Sequence, residues 1–243
     1  MAIGTQTVAA AEDKPKQLHE LRKYTFASQE KMQAFCEFLS EAAIPAMNRA
    51  GCKKVGAFVP MESEEHFVYV LISHCCMESA VALNTKMLAD EAYVKAAADI
   101  FAAPKKDPIY QRVESSLSLA FDDCPQVEAP NLKDTRVLQL RIYESHTAER
   151  AKKKVAMFNE GGEIDLFREC GMPPVFFGET LVGDLMPNLT YMLSFEDMEA
   201  KEKGWKTFIA SPEWKTLSSD PQYKDTVSRI TNIMLRPIEG SQI

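Results

Sequence analysis

No stretch of this chain approaches the roughly 20 consecutive apolar residues that a membrane-crossing helix requires, so no transmembrane segment is expected. Basic charge is in short supply: 28 Lys and Arg stand against 35 Asp and Glu, for a net charge of −7 and a pI near 5.3. Nucleic-acid binders normally present a basic face, so a nucleic-acid partner is not expected. There is no Cys-x-x-Cys, and none of the six cysteines (36, 52, 75, 76, 124 and 170) lies near a histidine at finger spacing. Zinc-finger and thioredoxin-like readings therefore fall away. His74-Cys75-Cys76 is a local cluster, but adjacent residues at a strand end point to opposite faces. The cysteines are read as small buried hydrophobes, with no bound metal, no cofactor and no disulfide framework expected in a chain this long. A phosphate-binding glycine loop, a dinucleotide fingerprint and a Gly-x-Ser-x-Gly elbow are also missing, which removes the commonest nucleotide and serine-hydrolase chemistries.

What the chain does have is a repeat. Glu20-Leu21-Arg22-Lys23-Tyr24 reads against Gln139-Leu140-Arg141-Ile142-Tyr143, an offset of 119 (141 minus 22). Gly51 and Val55-Gly56-Ala57-Phe58 read against Gly171 and Val175-Phe176-Phe177-Gly178, an offset of 120 (171 minus 51). Tyr69-Val70-Leu71 is aligned with Tyr191-Met192-Leu193, and Met77-Glu78-Ser79 with Met198-Glu199-Ala200. A period this long is a domain-sized unit written twice, not a solenoid. At 243 residues and 46% hydrophobic content, two units of roughly 110 residues fit the usual domain size.

Periodicity predicts β-α-β-β-α-β in each unit. In the first, strands are expected over 19–26, 54–60, 67–73 and 113–121. A helix capped by Ser28 carries Met32, Phe35, Cys36, Leu39 and Ala43 on one face, is interrupted at Pro45 and closes at Gly51. Helices over 77–89 and 91–102 follow. In the second, strands are expected over 136–144, 174–179, 189–195 and 227–235, with helices over 148–159, on to 170, over 198–210 and over 213–217. Gly161-Gly162 breaks the first of these helices in the region where Pro45 breaks its counterpart. Residues 122–134 hold Pro125, Pro130 and acids that include Asp122, Asp123 and Glu128, with no periodicity, a linker composition. Residues 1–16 read as a disordered arm or the remnant of a signal: Ala9-Ala10-Ala11 resembles a cleavage site, but a basic start and an apolar core are missing. A cytoplasmic location is expected; the alternative is export after cleavage of a signal that is incomplete in this sequence.

The β-α-β-β-α-β unit is the split βαβ, or ferredoxin-like, motif. Its helices cover one face of the sheet and leave the other to be buried. The expected fold is α+β: two tandem ferredoxin-like (βαββαβ) units whose antiparallel sheets pack into a dimeric α/β-barrel arrangement. The units span 17–121 and 135–238.

Arg141-x-Tyr143, Gly171, Phe177-Gly178-Glu179, Asn188, Tyr191, Leu193, Trp205, Phe208, Ser211-Pro212-Glu213-Trp214 and Ile233-x-Leu235-x-Pro237 resemble the NIPSNAP domain. The first unit matches more loosely through Arg22-x-Tyr24, Ile44-Pro45, Gly51 and Gly56, with Asn84 opposite Trp205 and Tyr93 opposite Trp214. The resemblance implies the dimeric α/β-barrel superfamily, which also holds cofactor-free monooxygenases, haem-degrading enzymes and isomerases. It implies no particular activity.

Arg22, Tyr24, Arg141, Tyr143 and Trp205 are the candidate ligand-binding residues. Alternation puts each Arg-Tyr pair on one strand face, with Leu138, Leu140 and Ile142 on the other. The Arg-Tyr face is expected to point into the barrel and hold an acidic or carbonyl ligand. The plainer reading is an ion pair with a strand acid such as Glu20. Trp205, Trp214 and Phe208 read first as core packing between helix and sheet, ahead of ligand stacking, Lys152-Lys153-Lys154 as a solvated helix face, and His19, His66 and His146 as satisfied structural histidines. Two functions stay open: a barrel protein binding a small organic molecule or a protein, and a cofactor-independent monooxygenase or isomerase. A homo-oligomer of the two-domain chain is compatible with either.

Overall fold

A computed structural model describes residues 14–130 and 133–243; the arm expected over residues 1–16 lies, up to residue 13, outside them. The first half contains β1 (Leu18–Phe26), α1 (Gln29–Phe38), α2 (Ile44–Arg49), β2 (Val55–Pro60), β3 (His66–His74), α3 (Met77–Leu88), α4 (Glu91–Ala96), α5 (Ala98–Ala102) and β4 (Arg112–Ala120). The second contains β5 (Val137–Glu144), α6 (Ala148–Phe158), α7 (Glu163–Glu169), β6 (Pro174–Val182), β7 (Asn188–Phe195), α8 (Met198–Ala210), α9 (Pro212–Ser219) and β8 (Arg229–Pro237). The helix starts follow the sequence closely. Ser28, Thr147, Asp197 and Ser211 each accept a backbone N–H with their side-chain oxygen, satisfying a donor that the first turn leaves free. The wide turn Leu39–Ala43 lies between α1 and α2, immediately before Ile44-Pro45. Pro45 cannot donate to the preceding turn, and a wide turn absorbs the missing bond.

The eight strands form a closed antiparallel barrel in the order β1-β3-β2-β8-β5-β7-β6-β4. Within each half the ladders are long: nine residue pairs join β1 to β3 and eight join β5 to β7. The two seams between halves are short. Phe58–Pro60 pairs with Leu235–Pro237 at one, and Leu117–Ala120 with Gly178–Val182, across a bulge, at the other. Closure leaves no sheet edge exposed.

Alternation sorts the side chains into two layers. Leu21, Phe58, Leu71, Leu138, Leu140, Phe176, Met192 and Leu235 fill the barrel interior. Tyr24, Phe26, Val68, Val70 and Ile72 face α1, α2 and α3, while Tyr143, Phe177, Leu189, Tyr191 and Leu193 face α6 to α9. The alignment of Tyr69 with Tyr191 is off by one residue. Arg22 pairs with Val70 across its ladder and Arg141 with Tyr191, so Tyr69 faces the interior and Tyr191 faces the helices. A shift of one residue exchanges faces. The 122–134 segment is composed like a linker but is tied down in part: Val127 joins the interior cluster, and its N–H bonds Gln17 Oε1 at 2.8 Å. Glu128 N–H reaches the Val175 carbonyl at 2.8 Å.

Expressed alone, residues 135–243 lose the β2 and β4 partners of β8 and β6 and uncover an apolar sheet face. Such a face aggregates or finds a copy of itself. The fragment is expected to be insoluble or a homodimer; a soluble, folded monomer by light scattering contradicts the barrel's dependence on both halves.

Candidate functional site

The Arg-Tyr pairs do not point into the barrel. Tyr24 and Tyr143 belong to the layers under the helices, and Leu138 and Leu140 fill the interior instead. The reason is desolvation: a tightly packed apolar interior offers a guanidinium no partners. The opposite strand face sits against helices whose side chains can supply them.

In the first half this face carries a network. Arg22 donates from Nε to Glu20 Oε1 at 2.6 Å and from Nη2 to Glu20 Oε2 at 3.1 Å. Nη2 also reaches Asn84 Oδ1 at 3.4 Å. His74 Nε2 lies 3.1 Å from Glu20 Oε2, and Ser115 donates to Glu20 Oε1 at 3.0 Å. Burial disfavours the Glu20 carboxylate, but the contacts with His74, Arg22 and Ser115 outweigh it and hold the pKa down at about 2. Tyr24 moves the other way, since burial raises its pKa against the pull of Arg22. Its phenol therefore remains a neutral donor at neutral pH.

Arg22 and Tyr24 open onto a cavity of about 230 Å³ between β1 and the helices. Phe35, Phe38, Met47, Met87, Tyr93 and Tyr110 supply most of its wall. Leu88 and Phe101, 61% and 52% exposed, are lining residues that reach solvent. Sequence reasoning named Arg22 and Tyr24 but missed Tyr110, which comes from an aperiodic stretch, and His74, which only the β1–β3 register brings to Glu20.

The second half builds the same face and fills it. Trp205 lies over the Arg141 guanidinium at 4.6 Å, where Asn84 touches Arg22 in the first half. Its indole N–H donates to Gln139 Oε1 at 2.6 Å, and Gln139 occupies the place of Glu20 (139 minus 119). Tyr143 and Tyr191 share a hydroxyl hydrogen bond of 3.0 Å, and Phe177 stacks on Tyr191 at 4.8 Å. Arg141 thus has no strand acid, and its buried Nε lacks a hydrogen-bond partner. Lys154, expected on a solvated face, is buried. It pairs with Glu163 at 2.6 Å and lies 4.4 Å from the Phe158 ring. Complete burial raises the Glu163 pKa despite the attraction of Lys154 and Arg141. Lys152 keeps the expected exposure and reaches Glu179. Nothing in a run of three lysines marks the middle of the helix face that turns inward.

The remaining candidates stand apart. His146 is exposed and His66 half-buried. His19 is not a satisfied histidine: it is 1% exposed beside Phe176, and neither ring nitrogen has a partner. Burial, then the nearby His74, pushes its pKa down to about 3. A separate cavity of about 380 Å³ opens at one barrel mouth, lined by Lys23, Tyr69, Glu114, Asn188 and Thr231; none of the Arg-Tyr candidates lines it. Among the described residues no group of three or more His, Cys, Asp or Glu side chains is placed to hold a metal ion.

A closed antiparallel barrel with helices outside, and a polar network on the outer face of its strands, defines an α+β barrel protein. Residues 138–242 match the NIPSNAP family, and the chain carries a NIPSNAP domain there. No curated protein matches the chain. Among solved structures, a provisionally named monooxygenase from Fusobacterium nucleatum subsp. nucleatum is similar over 92% of this chain and 93% of its own, at 11% identity and a TM-score of 0.65. Another provisionally named monooxygenase, from Lactobacillus acidophilus, is similar over 93% and 98%, at 13% identity and a TM-score of 0.57. An uncharacterised NIPSNAP-like domain protein from Burkholderia xenovorans matches 43% of this chain and 87% of its own, at 21% identity and a TM-score of 0.38. For the first two, at 11% and 13% identity, the likeness speaks for the fold alone.

Two measurements test the electrostatics. Glu20 has a depressed pKa, so its stabilisation is present above its ordinary 4.5 and is lost as pH falls toward about 2. The stability gap between wild type and Glu20→Gln is expected to shrink over that window, by at most about 3 kcal/mol; a constant gap contradicts the network. Lys154→Met leaves Glu163 buried without its cation and is expected to cost about 3–5 kcal/mol in urea unfolding. Adding Glu163→Leu is expected to restore most of it, and no recovery in the double variant contradicts a pairwise origin.

Proposed function

We propose that the chain binds a small, neutral, oxygen-bearing aromatic molecule in the first-half cavity. This reading takes the barrel as two fused ferredoxin-like units, 17–121 and 135–238, of which the first has opened its site and the second has filled its own. It is supported by strand order, which runs β4-β1-β3-β2 and then β8-β5-β7-β6 around the barrel. The observation that carries the function is the aromatic-walled cavity against Arg22 and Tyr24.

Ligand chemistry follows from charge. Glu20 neutralises Arg22, so the site offers oriented donors more than net positive charge. A carbonyl or phenolic oxygen suits such donors; a carboxylate adds a charge that Glu20 already balances. The wall of Phe35, Phe38, Tyr93 and Tyr110 suits a ring, and the exposed Leu88 and Phe101 suit an apolar entrance.

A second reading has the bound ring oxidised by dioxygen without a cofactor. It is favoured by the two full-length fold neighbours that carry a provisional monooxygenase name. Oxygen uptake in the presence of naphthol tests it, and binding without uptake rejects it.

Asn84→Trp tests the binding reading, because tryptophan stands at the corresponding place over Arg141. Naphthol and naphthoquinone are expected to raise the melting temperature of wild type, and benzoate to have little effect. The variant is expected to keep its own melting temperature within a few degrees and to lose the response to ligand. A ligand response that survives in Asn84→Trp overturns the assignment of the cavity.

A further inference from the structure

The six cysteines do not share one environment. Cys52 and Cys124 are buried, Cys36 and Cys170 are half-buried, and Cys75 and Cys76 are exposed. The expectation that Cys75 and Cys76 point to opposite faces and act as buried hydrophobes is therefore wrong. Strand alternation stops at His74, where β3 ends, and Cys76 is the extended residue that starts α3, with φ −164° and ψ 171°. Their sulfurs face each other at 3.6 Å in solvent. Among the described residues no third sulfur joins them, and the Glu78 carboxylate is hydrogen-bonded to Cys76. Cys52 Sγ lies 3.9 Å from His74 Nδ1, which also faces Ser79 Oγ at 3.2 Å, and both Cys52 and His74 are buried.

We propose that Cys75 and Cys76 form a two-sulfur capture site for organic trivalent arsenicals. Three properties of the pair select that chemistry. Thiol sulfur is a soft donor and prefers soft centres. With two protein sulfurs and only the hard carboxylate of Glu78 beside them, the site suits a soft centre that brings its own remaining substituent. Direct oxidation to a disulfide is disfavoured: adjacent Cα atoms across a trans peptide are about 3.8 Å apart, against roughly 4.4–6.8 Å in ordinary disulfides. A large bridging atom between the sulfurs removes that strain.

The reaction balances without an oxidant or reductant. With phenylarsine oxide, two S–H bonds and the arsenic–oxygen bonds break, and two As–S bonds form. The oxygen leaves as water with both thiol protons, and arsenic stays trivalent. The surroundings of Cys76 fit this route. The Ser79 backbone amide lowers its pKa, but Glu78 and Cys75 together raise it further. A protonated thiol reacts slowly with simple alkylating agents, whereas the arsenical's oxygen carries the protons away.

The test uses the full chain and phenylarsine oxide. One equivalent is expected to remove two solvent-accessible thiols, counted with a colorimetric disulfide reagent. Intact-mass measurement is expected to show one phenylarsenic adduct, which an excess of a small dithiol reverses. Cys75→Ser and Cys76→Ser are each expected to weaken binding on the order of 10²–10⁴-fold, because the second bond becomes bimolecular. Cys36→Ser and Cys170→Ser are expected to bind as wild type. Cys75→Ala replaces Cys75→Ser if circular dichroism shows that the serine variant is unfolded. Two accessible thiols that persist after stoichiometric arsenical overturn the proposal, as do single variants that bind as tightly as wild type.

Discussion

Closure of the eight-stranded sheet is the constraint from which the rest of the structure follows. Every strand is bonded on both sides, so the backbone polar groups of the sheet are satisfied by one another. The interior they enclose is narrow, and Phe58, Leu138, Leu140, Phe176 and Met192 are among the apolar side chains packed in it. In such a space each unpaired polar atom carries its full desolvation cost, and His19 is neutral there with two unbonded nitrogens. Arg22 and Arg141 are consequently turned outward, and Lys23, on the inward face of β1, reaches the barrel mouth. The layer between sheet and helices becomes the place for polar chemistry, and both arginines sit there beside aromatic rings.

The two halves use that layer in opposite ways. In the second, large side chains and a buried ion pair consume the volume, with Trp205 over Arg141 and Lys154 against Glu163. In the first, Phe35 stands 119 positions before Lys154, and Ala43 stands 120 before Glu163, the offset that joins Gly51 to Gly171. The ion pair is replaced by apolar groups, and the tryptophan by Asn84. Volume is lost faster than it is refilled, and a cavity remains. An unfilled cavity lowers stability in proportion to its size, a cost that a binding site recovers when its ligand is present.

Local stability follows the same division. Two of the helices beside the cavity, α4 and α5, are short and bury none of their own residues. The wide turn Leu39–Ala43 forms another part of the wall. Elements with few buried contacts open at the lowest free energy. The region over the cavity is therefore the part of the fold best able to admit a ligand while the barrel stays closed. In the second half, Phe158, Phe167 and Phe208 are fully buried and occupy the corresponding layer between sheet and helices.

Much of this was written in the sequence. Apolar alternation marked the strands, Ser28 and Ser211 marked helix starts, and Pro45 marked the irregular turn, because these signals act over a few neighbouring residues. The NIPSNAP-like order of residues from Arg141 to Pro237 identified the second half, and alternation put each arginine on the same face as its tyrosine. Alternation states that two faces differ but not which is inside. That choice was made by barrel closure, which drew Leu138 and Leu140 inward and left Arg22 and Arg141 under the helices. The burial of Lys154, the pairing of His74 with Glu20 and the meeting of Cys75 with Cys76 were likewise decided by tertiary structure. Each depends on register, on which helix face docks, or on where a strand ends, and a free energy summed over distant contacts fixes all three.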